Sequence, residues 1–214
     1  MDILHKTRAF VKDVLSSAEG GHDWFHIERV TSNALTIAAS TPCNPLVVEL
    51  AALLHDIADS KFHDGDEEIG PLKAEAFLQG ENFDPTLTGH IIAIIRNVSY
   101  KGGLHKATHE SIELDIVMDA DRLDAIGAIG IARTFNYGGF KNRALYDPDI
   151  PPQQYTDKEQ YKHSKAPTIN HFYEKLLLLK DLMRTKKGRE MAQQRHEYME
   201  GFLEQFYAEW DGKR

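Results

Sequence analysis

The chain carries a single cysteine, Cys43, among 214 residues, so no internal disulfide is open to it. That suits a reducing compartment. Its apolar runs fall far short of the about 20 residues that a membrane-spanning helix needs. The opening MDILHKTRAFVKDVL is amphipathic and lacks the apolar stretch of a signal peptide. Positive charge is also scarce: 25 Lys and Arg stand against 33 Asp and Glu, a formal net charge of −8. Such a chain presents no general field for nucleic acid or anionic membrane, and an anionic ligand needs a local cation. Internal repeats, low-complexity tracts and alternating strand patterns long enough for a sheet are missing as well. These absences predict a cytoplasmic, all-α protein with neither nucleic acid nor membrane as a partner. A hydrophobic content of 42% and a charged content of 27% are ordinary for a globular chain. This length predicts one domain over residues 1–214, burying about 70% of its unfolded surface.

Apolar residues recur at helical spacing along most of the chain. Ile3, Phe10, Val14 and Leu15 mark a first amphipathic helix, closed by Gly20-Gly21. Asp23 is placed to cap a second helix running to about Ala39, with Phe25, Ile27, Val30, Ala34 and Ile37 on or near one face. Pro42 and Pro45 interrupt it, and Pro45 suits the first turn of a third helix containing Leu46, Leu50, Leu53, Leu54 and Ile57. That helix is expected to end near Ala58-Asp59-Ser60. Further helices are expected near 71–79, 85–98, 111–133, 168–183 and 185–210. Residues 136–167 read as a long irregular connection, with Gly138, Gly139, Pro148, Pro151, Pro152 and Pro167. A connection this long is a functional lid, a disordered insert or a solvated loop. Its basic residues, Lys141, Arg143, Lys158, Lys162, His163 and Lys165, suit a phosphate clamp.

Against this apolar background a few polar residues stand out. His26 lies inside the second helix, His55-Asp56 follows the leucine-rich third, and Asp121 sits within Ile116-Val117-Met118-Asp119-Ala120-Asp121-Arg122-Leu123. Imidazole and carboxylate among leucines are costly unless something neutralises and satisfies them. A divalent metal does both, and two imidazoles with two carboxylates suit Mn²⁺, Fe²⁺, Co²⁺, Ni²⁺, Zn²⁺ or Mg²⁺. The His-Asp dipeptide alone carries no weight, because it also occurs at His22-Asp23 and His63-Asp64. The former stands at a helix start and the latter in an acidic loop. His22 and His26 form an i, i+4 pair, of which His26 is the better ligand; His22 caps or contacts substrate. Asp121 and Asp124 are near neighbours on a helix and repel unless a cation lies close, with Arg122 the candidate on the solvent side.

The ordered set His26, Ala51-Ala52-Leu53-Leu54-His55-Asp56 and Ala120-Asp121-Arg122-Leu123 resembles the HD-domain superfamily of metal-dependent phosphohydrolases. The resemblance implies an all-α fold with His26, His55, Asp56 and Asp121 as the metal ligands. A closer resemblance, to the bacterial YpgQ-like branch, is carried by three segments. They are His22-Asp23-Trp24-Phe25-His26-Ile27-Glu28-Arg29-Val30, the run Asp119 to Gly130, and Ile169-Asn170-His171-Phe172-Tyr173-Glu174-Lys175-Leu176. That branch implies hydrolysis of nucleoside and deoxynucleoside triphosphates to monophosphate and pyrophosphate. Several HD branches place an acid three positions after the aspartate of the pair, and Asp59 stands there, as a candidate proton-transfer residue. Ser60 replaces the second acid of stringent-response hydrolases, which speaks against a guanosine-tetraphosphate substrate.

One divalent metal ion and a nucleotide substrate are therefore expected, and a homodimer is left open. Candidate substrate contacts are His22, Lys61, His90, Arg122, Asp124, Lys165 and Lys175. The alternatives are a nucleoside-monophosphate phosphatase, a cyclic-nucleotide phosphodiesterase, for which extra histidines such as His90, His105 and His109 would count, or a non-catalytic nucleotide sensor.

Overall fold

The Asp23 carboxylate accepts the amide of His26 at 2.9 Å and starts helix α2, Trp24–Ala38, as expected of an N-cap. Asn44 does the same for α3, Pro45–Leu54, accepting from Leu46 and Val47 just ahead of the proline. Local chemistry of this kind accounts for most of the helix starts in the computed structural model. Residues 2–16, 23–58, 66–98, 108–153 and 166–214 are described. Helix α1 is Ile3–Val14, α4 Ile69–Gly80, α5 Pro85–Val98, α6 Ile112–Asp124, α7 Gly127–Phe140, α8 Asn170–Glu174 and α9 Lys186–Trp210. A 3₁₀ segment, Leu176–Leu182, lies between the last two. The fold is all-α: no strand occurs among the described residues, and none of their helices is long and apolar enough to cross a membrane.

The chain divides into two compact units, Met1–Asp121 and Arg122–Arg214. In the first, α3 packs against α1, α2 and α5, and α4 packs against α5. With neighbours on several sides, α3 is apolar nearly all round, and Val47, Val48, Leu50, Leu53 and Leu54 are fully buried. Each such side chain contributes about 1.5–3 kcal/mol of transfer free energy. Its one charged residue, Glu49, is met by Arg8 of α1 at 2.6 Å. In the second unit α9 packs against α7 and the 3₁₀ segment. Phe135, Phe172 and Phe202 meet there with ring centroids 5.8–6.1 Å apart.

Four sequence expectations need correction. Helix α3 stops at Leu54, with His55 as its C-cap, rather than near Ala58. The expected helix 111–133 is two helices. Gly127 takes φ +74, a left-handed conformation that breaks the run and that glycine alone adopts cheaply. The expected helix 168–183 is α8 and a 3₁₀ segment, separated where Lys175 leaves helical geometry at φ −144, ψ −56. Helix α7 continues to Phe140, so the irregular connection begins at 141; residues 154–165 of it lie outside those described.

Candidate metal centre

The end of α3 builds the first half of the site. The last carbonyls of a helix have no partner within it. His55 turns its ring back on one of them, with Nδ1 2.8 Å from the Ala52 carbonyl. A carbonyl only accepts, so Nδ1 carries a proton and Nε2 is the nitrogen left to take a second proton or an ion. That Nε2 is buried and has no hydrogen-bond partner. It faces a carboxylate oxygen, Asp121 Oδ1, at 3.8 Å. An unprotonated Nε2 opposed to an anion is repulsive, so the place between them draws either a proton or a metal cation. Orientation of a ligand imidazole through its other nitrogen is the usual arrangement at metal centres.

The other residues converge on the same place. His26 Nε2 lies 3.6 Å from Asp121 Oδ1 and 3.9 Å from Asp56 Oδ2. The ligand atoms of His26, His55 and Asp56 all lie within 4.8 Å of one another. Two atoms sharing an ion at bond lengths of about 2.0–2.3 Å are at most about 4.6 Å apart, and the 3.6–3.9 Å separations fit within that. The histidine side chains are 3% and 4% exposed and the carboxylates 21% and 28%, so solvent reaches the cluster on its acidic side. Helix α2 is tied to α6 next to the site. Asn33 is buried in α2 and donates to the carbonyl of Ala120, one residue before Asp121, at 3.3 Å.

Electrostatics agree with the geometry. Burial acts to lower the His55 pKa, but the adjoining Asp121 carboxylate, with Asp56, reverses the sign and pushes it up to about 9. Burial acts to raise Asp121, yet His55 and His26 hold it below the ordinary carboxylate value. The cluster therefore draws a positive charge onto the His55 nitrogen, and a divalent ion competes with a proton for that place. A measurable consequence follows. The raised pKa stabilises the chelator-treated chain fully below about pH 6.5 and is lost as pH rises through about 9. The melting temperature of the chelated chain should fall across that window. Saturating metal should abolish this part of the pH dependence, since a ligand imidazole is already unprotonated. Parallel calorimetric profiles with and without metal would contradict it.

The remaining candidates divide. His22, Asp59, Lys61 and Lys165 lie outside the described residues. His90 Nε2 is 3.3 Å from Glu113, and its ring meets that of His109 edge-on at 5.1 Å. Glu113 stands eight residues before Asp121 on α6, about 12 Å along the axis at about 1.5 Å per residue, so His90 is not brought to the four-residue cluster. Asp124 is buried against Arg133, which also donates to its backbone carbonyl. Arg133 is thus a cation that answers Asp124. Arg122 is itself buried and donates to the Leu182 carbonyl at 2.7 Å. Lys175 is half-buried just past α8. Phe25, expected on the inner face of α2, is 62% exposed, and Trp24 lies under the Lys12 ammonium at 4.6 Å.

Residue-pattern reading missed three structural partners. Asn33 is a polar residue on the apolar stripe of α2, a signal that was open to notice. Arg133 and Arg195 hold the last carbonyls of α6, at Asp124 and Leu123. Cations at a helix C-terminus also suit its dipole. Arg195 crosses directly over Gly127, where a Cβ would come 2.9 Å from its Cγ.

Comparison with known proteins places these residues in context. The HD domain profile matches residues 24–126, a span that contains His26, His55, Asp56 and Asp121. The chain is 37% identical over 204 residues to the protein YpgQ of Bacillus subtilis, covering 92% of this chain and 89% of that one. The crystal structure of an HD-superfamily hydrolase from Bacillus thuringiensis superposes with a TM-score of 0.79 at 44% identity, over 97% of this chain and 96% of its own. That of Bacillus subtilis YpgQ in complex with ADP superposes with a TM-score of 0.72 at 33% identity, over 96% and 94%.

Proposed function

This chain belongs to the HD-domain superfamily of hydrolases, and we propose that it is a metal-dependent enzyme converting nucleoside and deoxynucleoside triphosphates to monophosphate and pyrophosphate. The observation that carries the metal is the convergence of His26, Asp56 and Asp121 on the buried Nε2 of His55. What supports a nucleotide is the likeness to the YpgQ-like branch, one member of which is seen in complex with ADP.

In this reading His26, His55, Asp56 and Asp121 hold one divalent ion; Mn, Mg, Co, Ni, Fe and Zn are all compatible with two imidazoles and two carboxylates. Such an ion, when bound, supplies a water of lowered pKa and neutralises charge on phosphate oxygens. Ala52 fixes the His55 tautomer, and Asn33 fixes the approach of α6 to α2. Asp59, three residues after Asp56, is assigned the proton transfer: it takes the proton of the attacking water as that water adds to the α-phosphorus. The bond from the α-phosphorus to the bridging oxygen breaks, and pyrophosphate leaves with that oxygen.

Hydrolysis in ¹⁸O-labelled water checks the site of attack. The expected products are pyrophosphate without label and a monophosphate carrying it. Label in pyrophosphate means attack at the β-phosphorus. Orthophosphate release from a monophosphate, or ring opening of a cyclic nucleotide, would instead identify one of the other HD phosphohydrolase activities. Metal-dependent binding without product would identify a sensor.

A further inference from the structure

The loop that follows α7 borders a cavity of about 360 Å³ in the second unit, within the usual size range of a small-molecule site. Local chemistry shapes that loop. The Asp147 carbonyl accepts the Ile150 amide at 3.2 Å, and the Asp147 carboxylate accepts the Asp149 amide at 3.0 Å. Pro148, Pro151 and Pro152 stiffen the backbone, since each ring locks its own φ. Two side chains then tie the loop to α8. The Asn170 amide nitrogen donates to the Ile150 carbonyl at 2.8 Å, and the Glu174 carboxylate accepts the Gln153 amide at 3.1 Å. Walls tied down in this way leave little to be ordered when a ligand enters.

The lining is aromatic, apolar and short of positive charge. Tyr146, Tyr173 and Tyr207 border the cavity with the three prolines and Ile150. The Tyr146 ring meets that of Tyr207 edge-on at 5.3 Å and that of Trp210 at 4.9 Å. The Tyr207 hydroxyl is hydrogen-bonded to that of Tyr173. Burial, and then this bond, push the Tyr207 pKa above the ordinary phenol value, so the group is neutral. Among the described residues no Lys, Arg or His lines the cavity, whereas Asp147 does. An anionic ligand therefore meets no counter-charge there. Asn170 also lines the cavity and is only 1% exposed. Its amide nitrogen is committed to Ile150, and no described residue donates to its Oδ1. A buried amide oxygen in that position takes a donor from whatever fills the cavity.

We propose that this cavity binds a flat, uncharged heteroaromatic ring with N–H donors, namely a nucleobase, carried by the substrate nucleotide or by a free nucleoside. Tyrosine rings and proline surfaces offer apolar faces for such a ring, and stacking of this kind tolerates every base. The Asn170 Oδ1 and the tyrosine hydroxyls accept from its N–H groups. With Asp147 at its border and no cation, the cavity leaves the phosphates of a nucleotide outside. The choice of a nucleobase among such rings rests on the nucleotide reading above; the flat, uncharged character of the ligand does not.

Calorimetric titration of the full chain in chelator, where hydrolysis is silent, tests this. The probes are deoxyadenosine, dATP and, as a ligand without a base, deoxyribose 5-phosphate. Ile150→Trp fills the cavity from a residue that is 40% exposed, and it keeps the backbone carbonyl that Asn170 bonds. Asn170→Ala removes the acceptor. The wild-type chain should bind deoxyadenosine and not deoxyribose 5-phosphate. Ile150→Trp should weaken deoxyadenosine binding by about tenfold or more through lost stacking, and Asn170→Ala by about tenfold, the worth of one hydrogen bond. Circular dichroism of each variant establishes that it is folded. A parallel loss for dATP assigns the ring to the nucleotide; a loss confined to deoxyadenosine assigns it to a free nucleoside. Wild-type chain that does not bind deoxyadenosine, folded Ile150→Trp that binds it as wild type does, or equal binding of deoxyribose 5-phosphate overturns the proposal. Deoxyadenosine binding that responds to Ile150→Trp in a chain without hydrolytic activity keeps this proposal and rejects the proposed reaction.

Discussion

Replacing His55 with alanine is expected to lower metal-dependent hydrolysis by about 10³-fold or more. A metal ion acting as a Lewis acid contributes several kcal/mol of transition-state stabilisation, and about 4 kcal/mol is already a factor near 10³. His55 is well placed to carry that dependence, because Ala52 fixes its ring and its buried Nε2 has no other partner. The variant should still fold. The hydrogen bond it loses contributes only about 0.5–1.5 kcal/mol, and the apolar packing of α3 is untouched. Metal content by mass spectrometry, read beside kcat/KM, distinguishes the causes. Loss of both assigns His55 as a ligand, whereas turnover within tenfold of wild type with metal retained would remove it from the centre.

Asp59→Asn is expected to behave differently. The variant should keep its metal and its melting temperature while turnover falls about 10²–10⁴-fold, the range for a positioned proton-transfer group. Its pH–rate profile should also lose one limb, because asparagine cannot take up a proton between pH 4 and 9. A merely structural carboxylate would leave that profile unchanged. Near wild-type turnover with metal bound would leave Asp59 as a surface acid, and the proton would need another acceptor.

Helix starts were the most legible part of this chain, because a cap is a local event. Asp23 needs only the amide three residues on, and Pro45 by itself suits a first helical turn. The four-residue cluster was legible for a different reason: polar residues on apolar helices stand out against their surroundings. What was not legible depends on partners distant in sequence. The break at Gly127 looks like one more apolar position in a helical run until its φ of +74 and the Arg195 side chain above it are known. Arg133 and Arg195 reach the end of α6 from nine and 72 residues away, and no spacing rule connects them to it. Arg122 is the solvent-side cation that the sequence offers for Asp121 and Asp124, but the structure also gives its guanidinium the Leu182 carbonyl and sets Arg133 against Asp124.

Anomalous diffraction from crystals grown with manganese tests the metal centre most directly. A single strong peak is expected within about 2.0–2.3 Å of His26 Nε2, His55 Nε2 and one carboxylate oxygen each of Asp56 and Asp121. No peak at saturating metal, or a peak bound elsewhere with these four side chains more than about 5 Å from it, well beyond any ligand bond, would contradict a metal-dependent hydrolase built on this cluster.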